Sequence, residues 1–228
     1  MFTIGPDTPT REHDGVVIVS GPGGCQWVTD PERPHLGGNF DGGDLGTMYP
    51  DDLWPWLIET FEVKSMADVG CGTGETLRWF EGKGVKTVGV DGLPWNVQQC
   101  GKRCSAKVAL HDFTVDGPYP FDAVDLVWCA DVVEHIAEEH ADAILATIRQ
   151  GSVLAMCHGT EAHAELGWHH VNNKSERYWV DRLAAVGMVE DAALTRESRG
   201  IGNHGWWQAT GRIYRKCATP DKPTKADK

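Results

Sequence analysis

Long apolar runs are missing from this chain of 228 residues. None reaches the roughly 18 residues that a membrane-spanning helix needs. The opening MFTIGPDTPTREHDG has neither the positive region nor the apolar stretch of a secretion signal, which sets the expectation of a cytoplasmic protein without membrane attachment. Metal-type Cys-x-x-Cys spacing is also missing. The seven cysteines are odd in number, and pairs such as Cys100 and Cys104 predict free, mostly buried thiols rather than a disulfide framework. Basic residues are few, with 21 Lys plus Arg against 33 Asp plus Glu, a formal charge of −12. Long-range attraction to nucleic-acid phosphates or an anionic membrane is therefore not the default, and a small or neutral substrate fits better.

What is present describes one globular domain: 41% hydrophobic and 24% charged residues exclude a disordered or fibrous chain. The charge is uneven. Residues 1–63 hold eleven acids and two bases, a local −9, while eight bases face three acids from Arg196 onward, a local +5. Both read as solvated surface. Residues 1–49 are rich in Gly, Pro and Asp. They predict a lead-in arm with one strand, Val16 to Ser20, in which GGNFDGGD (Gly37 to Asp44) holds no regular structure and can fold back as a lid.

A single domain is expected over residues 50–217, with a disordered tail over 218–228. After Pro50, which suits a first helical turn, Trp54, Leu57, Ile58 and Phe61 form one helical face. Then short apolar runs, Met66–Val69, Thr87–Val90, Ala106–Leu110, Ala123–Cys129 and Ser152–Cys157, alternate with helical stretches at 75–81, 95–101 and 136–149. Strands buried on both faces with helices between them predict a doubly wound, mostly parallel α/β sheet. Ser175 to Val186 reads as a helix capped by Ser175 and stopped by Gly187. Met188–Leu194 and Gln208–Tyr214 read as an antiparallel edge hairpin joined by the turn GIGNHG, Gly200 to Gly205.

The chemistry concentrates at the ends of the early strands. In Asp68-Val69-Gly70-Cys71-Gly72-Thr73-Gly74, glycines at alternate positions let the backbone turn tightly from strand to helix and approach a ligand. Asp91 follows at the end of the next strand, where a carboxylate can accept both hydroxyls of a ribose. His111-Asp112-Phe113 closes the third, with a carboxylate for an adenine amino group and a ring beside the base. A dinucleotide fingerprint would need glycine where Glu75 stands, and a carboxylate there disfavours a pyrophosphate.

These motifs, with DLVWCADVVEHI (Asp125 to Ile136), resemble those of class I S-adenosylmethionine-dependent methyltransferases over about Pro50 to Cys157. The resemblance implies a Rossmann-like fold and S-adenosylmethionine as cofactor. Gly70, Cys71 and Gly72 would lie against its methionine part, Asp68 would orient the loop or reach the amino group through water, Asp91 would hold the ribose, and Asp112 with Phe113 would frame the adenine. Gly74, Gly92 and Trp128 complete the implied cofactor set.

For the acceptor, two sets of imidazoles are candidate bases: His135, which in similar enzymes passes beneath the cofactor, and the pair His169 and His170 in GWHHVNN, Gly167 to Asn173. That segment, with Tyr178 and Trp179, is similar to methyltransferase-domain proteins of bacteria and phages. The expected reaction is transfer to a small-molecule or glycan hydroxyl. N-methylation and a non-catalytic adenosine-ligand binder of the same fold are the alternatives. Nucleic acid is an unfavoured acceptor, because Trp128-Cys129-Ala130-Asp131 lacks the Asn or Asp followed by Pro-Pro that holds a flipped base. His158, His163 and His169, five and six residues apart, fit no helical face, so no metal ligands are expected, while a cation gripping a diol through Asp131 or Asp125 stays open. Trp54 and Trp79 belong to the core; Trp168, Trp206 and Trp207 are candidates to stack on a sugar or aromatic ring.

Overall fold

The computed structural model describes residues 8–21, 26–30, 32–40, 52–163, 168–201 and 204–217. The expectations for Asp41 to Asp44, Pro50, Gly167, Gly202, Asn203 and the tail from Ala218 lie outside the described residues.

Two sheets make the frame. The larger has seven strands: β5 (Ser65–Val69), β6 (Lys86–Asp91), β7 (Lys107–Leu110), β8 (Val124–Ala130), β9 (Gly151–Cys157), β10 (Met188–Glu190) and β11 (Arg212–Lys216). Their spatial order is β10-β11-β9-β8-β5-β6-β7. The five strands from β7 to β9 run parallel, and β11 and β10 close one side antiparallel. This is the doubly wound Rossmann-like fold expected from the alternation, with the order reversing between β5 and β8. Such a switch point leaves a crevice at the carboxyl ends of the strands.

Helices pack on both faces of this sheet. α1 (Leu53–Phe61), α2 (Glu75–Glu81) and α3 (Pro94–Arg103) alternate with the first strands, and α4 (Ala141–Ile148), α5 (Glu176–Ala185), α6 (Ala192–Ile201) and α7 (Gly205–Thr210) follow. Leu53, Trp54 and Leu57 of α1 and Leu77 and Phe80 of α2 are fully buried around Leu126 and Trp128. Ile144, Leu145 and Ile148 of α4 join Trp179 and Leu183 of α5 on the other face. None of these helices is long and apolar enough to cross a membrane. The Ser175 hydroxyl caps α5 by accepting from the Tyr178 N–H at 3.3 Å, the N-terminal device anticipated for it.

Three expectations are corrected. The helix placed at 136–149 begins at Ala141, because residues before it form two short 3-10 turns, Val133–His135 and Glu138–His140. The strands of the late hairpin do pair, but their connection is helical: α6 replaces the end of the first expected strand, and α7 occupies residues read as the start of the second. Thr195 and Ser198 of α6 are buried against β11 and α7, with the Ile213 N–H donating to Thr195 Oγ1 and Trp207 Nε1 to Ser198 Oγ. Burying short polar side chains on a helix gives no apolar periodicity to read.

The largest correction concerns the arm. The arm holds a four-stranded antiparallel sheet, β1 (Thr10–His13), β2 (Val16–Ser20), β3 (Gln26–Asp30) and β4 (Arg33–Asn39), in sequential order. Gly37 and Gly38, expected in an irregular segment, lie in β4. Strand glycines mark close approaches, and here a Cβ on Gly37 would overlap the Trp168 indole. Val16, Val28 and Leu36 of this sheet pack with Leu93 and Trp95 from the β6–α3 region. The sheet thus sits over the switch-point crevice.

Candidate functional site

Between the two sheets lies a cavity of about 400 Å³, the size class of small-ligand sites. Its floor is the turn from β5 into α2. Gly70, Gly72 and Gly74 hold φ of +76°, +52° and +87°, values that cost an L side chain steric strain. Gly72 faces open space, so the backbone is bare toward the cavity. The Gly72 N–H donates to Asp91 Oδ2 at 2.8 Å, while Asp91 Oδ1 accepts from Leu93 N at 2.9 Å and Asn96 Nδ2 at 3.1 Å. Asp91 therefore locks the glycine turn to the end of β6 and keeps lone-pair capacity on Oδ2.

The wall after β7 carries Asp112, 8% exposed, and the Phe113 ring. The Thr114 N–H and hydroxyl both donate to Asp112 Oδ1, and Asp112 Oδ2 lies 2.9 Å from His35 Nε2 of β4. The roof is closed on the other side by Trp168, whose Nε1–H donates to the Pro34 carbonyl at 2.7 Å and whose ring lies 6.4 Å from that of Trp27. The far end is formed by Ala130 to Val132, Glu134 to Ile136, His158, Gly159, His170, Trp206 and Thr210.

Charge is the most informative property of this space. Five carboxylates line it, Asp68, Asp91, Asp112, Asp131 and Glu134, and among the described residues no Lys or Arg does. Burial pushes the Asp68 carboxyl well above the usual range, against a hydrogen bond with Thr76. Burial likewise raises Asp91 in spite of its three donors. Glu134, fully buried, is raised well above by burial and by the charge of Asp131. His135 is pushed down to about 3 by burial, with His170 and His169 adding to the effect, so its imidazole is neutral at physiological pH. The raised carboxyls report, first of all, removal from water, with Asp131 adding like charge at Glu134; a cationic ligand would relieve that cost and an anionic one would worsen it.

Of the residues singled out in the sequence, Asp68, Gly70, Cys71, Gly72, Asp91, Gly92, Asp112, Phe113, Trp128, His135 and His170 line this one cavity. Four do not serve as expected. Gly74 is turned away, its Cα against Cys100, where it begins α2. His169 is not among the lining residues: with φ of +50° its ring points toward His35, 6.4 Å away. Trp207 is fully buried and stacked on Trp128 at 5.2 Å, so it is core rather than a stacking platform, unlike the half-buried Trp206 beside it. Asp125 accepts from Lys64 N, Ser65 N and Ser65 Oγ at the opposite ends of the strands, which removes it as a cation ligand in this cavity. His35 and Trp27 went unnoticed in the sequence, and Glu134 was given no role there. Only Glu134 carried a signal, its place beside His135.

Residues 66–151 match the family model described as a methyltransferase domain. The matched segment runs from β5 to the start of β9 and carries the glycine turn, Asp91, Asp112 and His135. No curated protein sequence matches it. Among solved structures it resembles the sugar N-methyltransferase of a Streptoalloteichus species, with 15% identity, a TM-score of 0.58, and 76% of this chain and 90% of that one covered. It also resembles a TehB-like SAM-dependent methyltransferase from Corynebacterium glutamicum (16%, TM-score 0.53, 77% and 90%) and the PH0226 protein from Pyrococcus horikoshii (13%, 0.54, 82% and 96%). At these identities the likeness concerns the fold.

Proposed function

We propose that the protein methylates a hydroxyl of a small molecule or glycan, using the cavity between the two sheets. The observation that carries the reading is the acidic lining without Lys or Arg, which suits a ligand with positive sulfonium and ammonium groups and not a phosphate-bearing nucleotide. Asp91 Oδ2, with one donor already, would take the ribose hydroxyls. Asp112 and Phe113 would hold the adenine, with Gly92 allowing close approach. Gly70, Cys71 and Gly72 would lie along the methionine part, and Asp68, buried behind the turn, would orient the loop and compensate the ammonium. Trp128 would floor the cavity near the sulfonium. When bound, S-adenosylmethionine supplies an electrophilic methyl group.

The acceptor would enter at the far end, where Trp168 and Trp206 offer apolar ring surface and His135 and His170 offer ring nitrogens. Ring nitrogens at that end suit a hydroxyl acceptor, whose proton has to be taken from it, better than an amine that attacks through its own lone pair. The roof of β3, β4 and Trp168 would exclude water from that end.

Incubating the protein with methyl-labelled donor and pooled sugars, phenols and amines tests this. Labelled ethers are expected, absent with Asp91→Ala and reduced with His135→Ala and His170→Ala. Labelled amines alone, or donor binding with no product across the panel, would overturn the hydroxyl reading.

A further inference from the structure

We propose that Glu134, His135 and His170 together hold one divalent cation of the zinc type, placed to bind the acceptor hydroxyl. The cation site itself stands on the geometry below; only its use toward a hydroxyl rests on the reading above.

Each of the three side chains offers one ligand atom, and these atoms lie within 4.8 Å of one another. In a tetrahedral site with bonds of about 2.1 Å, ligand atoms stand about 3.4 Å apart, so closure takes only small side-chain rotations. Two of the ligand groups hold orphaned atoms: Glu134 Oε2 and His135 Nδ1 are shielded from solvent without a hydrogen-bond partner. A buried polar atom left unpaired is costly, and Glu134 is wholly buried. Its other oxygen is fixed, Oε1 accepting from the Gly159 N–H at 2.6 Å, which leaves Oε2 as a single directed donor. A backbone hydrogen bond of this kind is what orients a ligating carboxylate.

The cluster does not come from chance rotamers. The Glu134 carbonyl accepts from both Val171 N and Asn172 N at 2.9 Å, tying the loop that carries His170 to the 3-10 turn that carries Glu134 and His135. Asn173 Nδ2 donates to the His170 carbonyl at 2.8 Å. The two imidazole rings meet edge to face at 4.8 Å. Asp131, nearby in the same wall, adds negative charge.

The ligand chemistry selects the ion. Two ring nitrogens and one carboxylate oxygen suit zinc, cobalt or ferrous iron, whereas magnesium and calcium ask for oxygen. Three protein ligands leave a fourth position open, and the three line the same cavity as Trp168 and Trp206. A hydroxyl oxygen bound there would lose its proton to water as the O–H bond breaks, the electron pair staying on oxygen next to the cation. No redox change occurs. His135 and His170 would then act as ligands, and the ion would do the work otherwise given to a base.

The test uses the full chain, stripped with a chelator and titrated with Co²⁺ without methyl donor. One saturable visible absorption is expected, displaced by Zn²⁺ and not by Mg²⁺. His170→Ala and Glu134→Gln should each weaken Co²⁺ binding by at least about tenfold, with His169→Ala unchanged. A folded protein that gives no absorption, or binding equally tight in His170→Ala and His135→Ala, overturns the proposal. If Glu134→Gln does not fold, the two histidine variants decide. Calorimetry with S-adenosylhomocysteine on the same samples separates the failures. Heat without Co²⁺ binding overturns the cation alone, and Co²⁺ binding without heat overturns the methyl-transfer reading and leaves the cation site standing.

Discussion

The two ends of the cavity are built differently. The end formed by the β5 turn, Asp91 and Asp112 comes from three consecutive strand ends joined by short-range bonds such as that from Gly72 to Asp91, with a long-range tie from Asp112 to His35 of β4. The end containing Glu134, His135 and His170 is assembled from segments far apart in the chain, and Trp168 reaches 134 residues back to Pro34. The first is a property of the strand-turn-helix unit; the second exists only once the whole chain has folded.

The contrast predicts effects of graded size. Trp168→Ala should be the most damaging, losing about 3–4 kcal/mol as a buried indole, its bond to Pro34 and its contact with Trp27 disappear. Hydrogen exchange should then open residues 26–39 while β5 to β9 stay protected; loss spread evenly over both sheets would dissolve the comparison. Asp91→Ala removes the acceptor of three donors. It should weaken S-adenosylhomocysteine binding by about 100-fold, on the scale of a hydrogen bond to a charged group, with the roof contacts intact. Equal affinity in this variant would show that the cofactor end is elsewhere.

Ser175→Ala should cost about 1 kcal/mol in denaturant unfolding through loss of the α5 cap, with cofactor affinity unchanged. The smallest effect concerns pH. Burial raises the Asp112 carboxyl, but hydrogen bonds from Thr114 and His35 outweigh it and hold the group below its ordinary value of 3.8. A depressed folded value means stability that is complete above the unfolded value and lost as pH falls through the folded one. The roof should thus loosen below about pH 4, and comparison of acid melts for the wild type and His35→Ala should show a smaller acid loss in the variant.

The sequence disclosed these two ends unequally, and for a physical reason. β5, β6, β8 and β9 fall within a residue of their expected limits because strands buried on both faces are continuous apolar runs. The glycines and Asp91 were legible because a tight turn, and the carboxylate at the next strand end that its backbone bonds, come at fixed spacing. β1, β3 and β4 were missed; in β4 Pro34, Gly37 and Gly38 break the usual strand pattern, and Gly37 is explained only by the Trp168 ring that arrives from residue 168. His135 could be read from its motif. That His170 would stand beside it could not, since the bonds from Val171 and Asn172 to the Glu134 carbonyl join two stretches that no local pattern relates.

The central claim is that a cavity walled by carboxylates accepts a cationic adenosyl ligand on Gly70 to Gly72 and Asp91. Titrating the protein calorimetrically with S-adenosylmethionine and, separately, with NADH tests it most directly. Saturable one-to-one heat with the sulfonium compound and none with the dinucleotide is the predicted result; saturation by NADH, or silence from both with a folded protein, would contradict it.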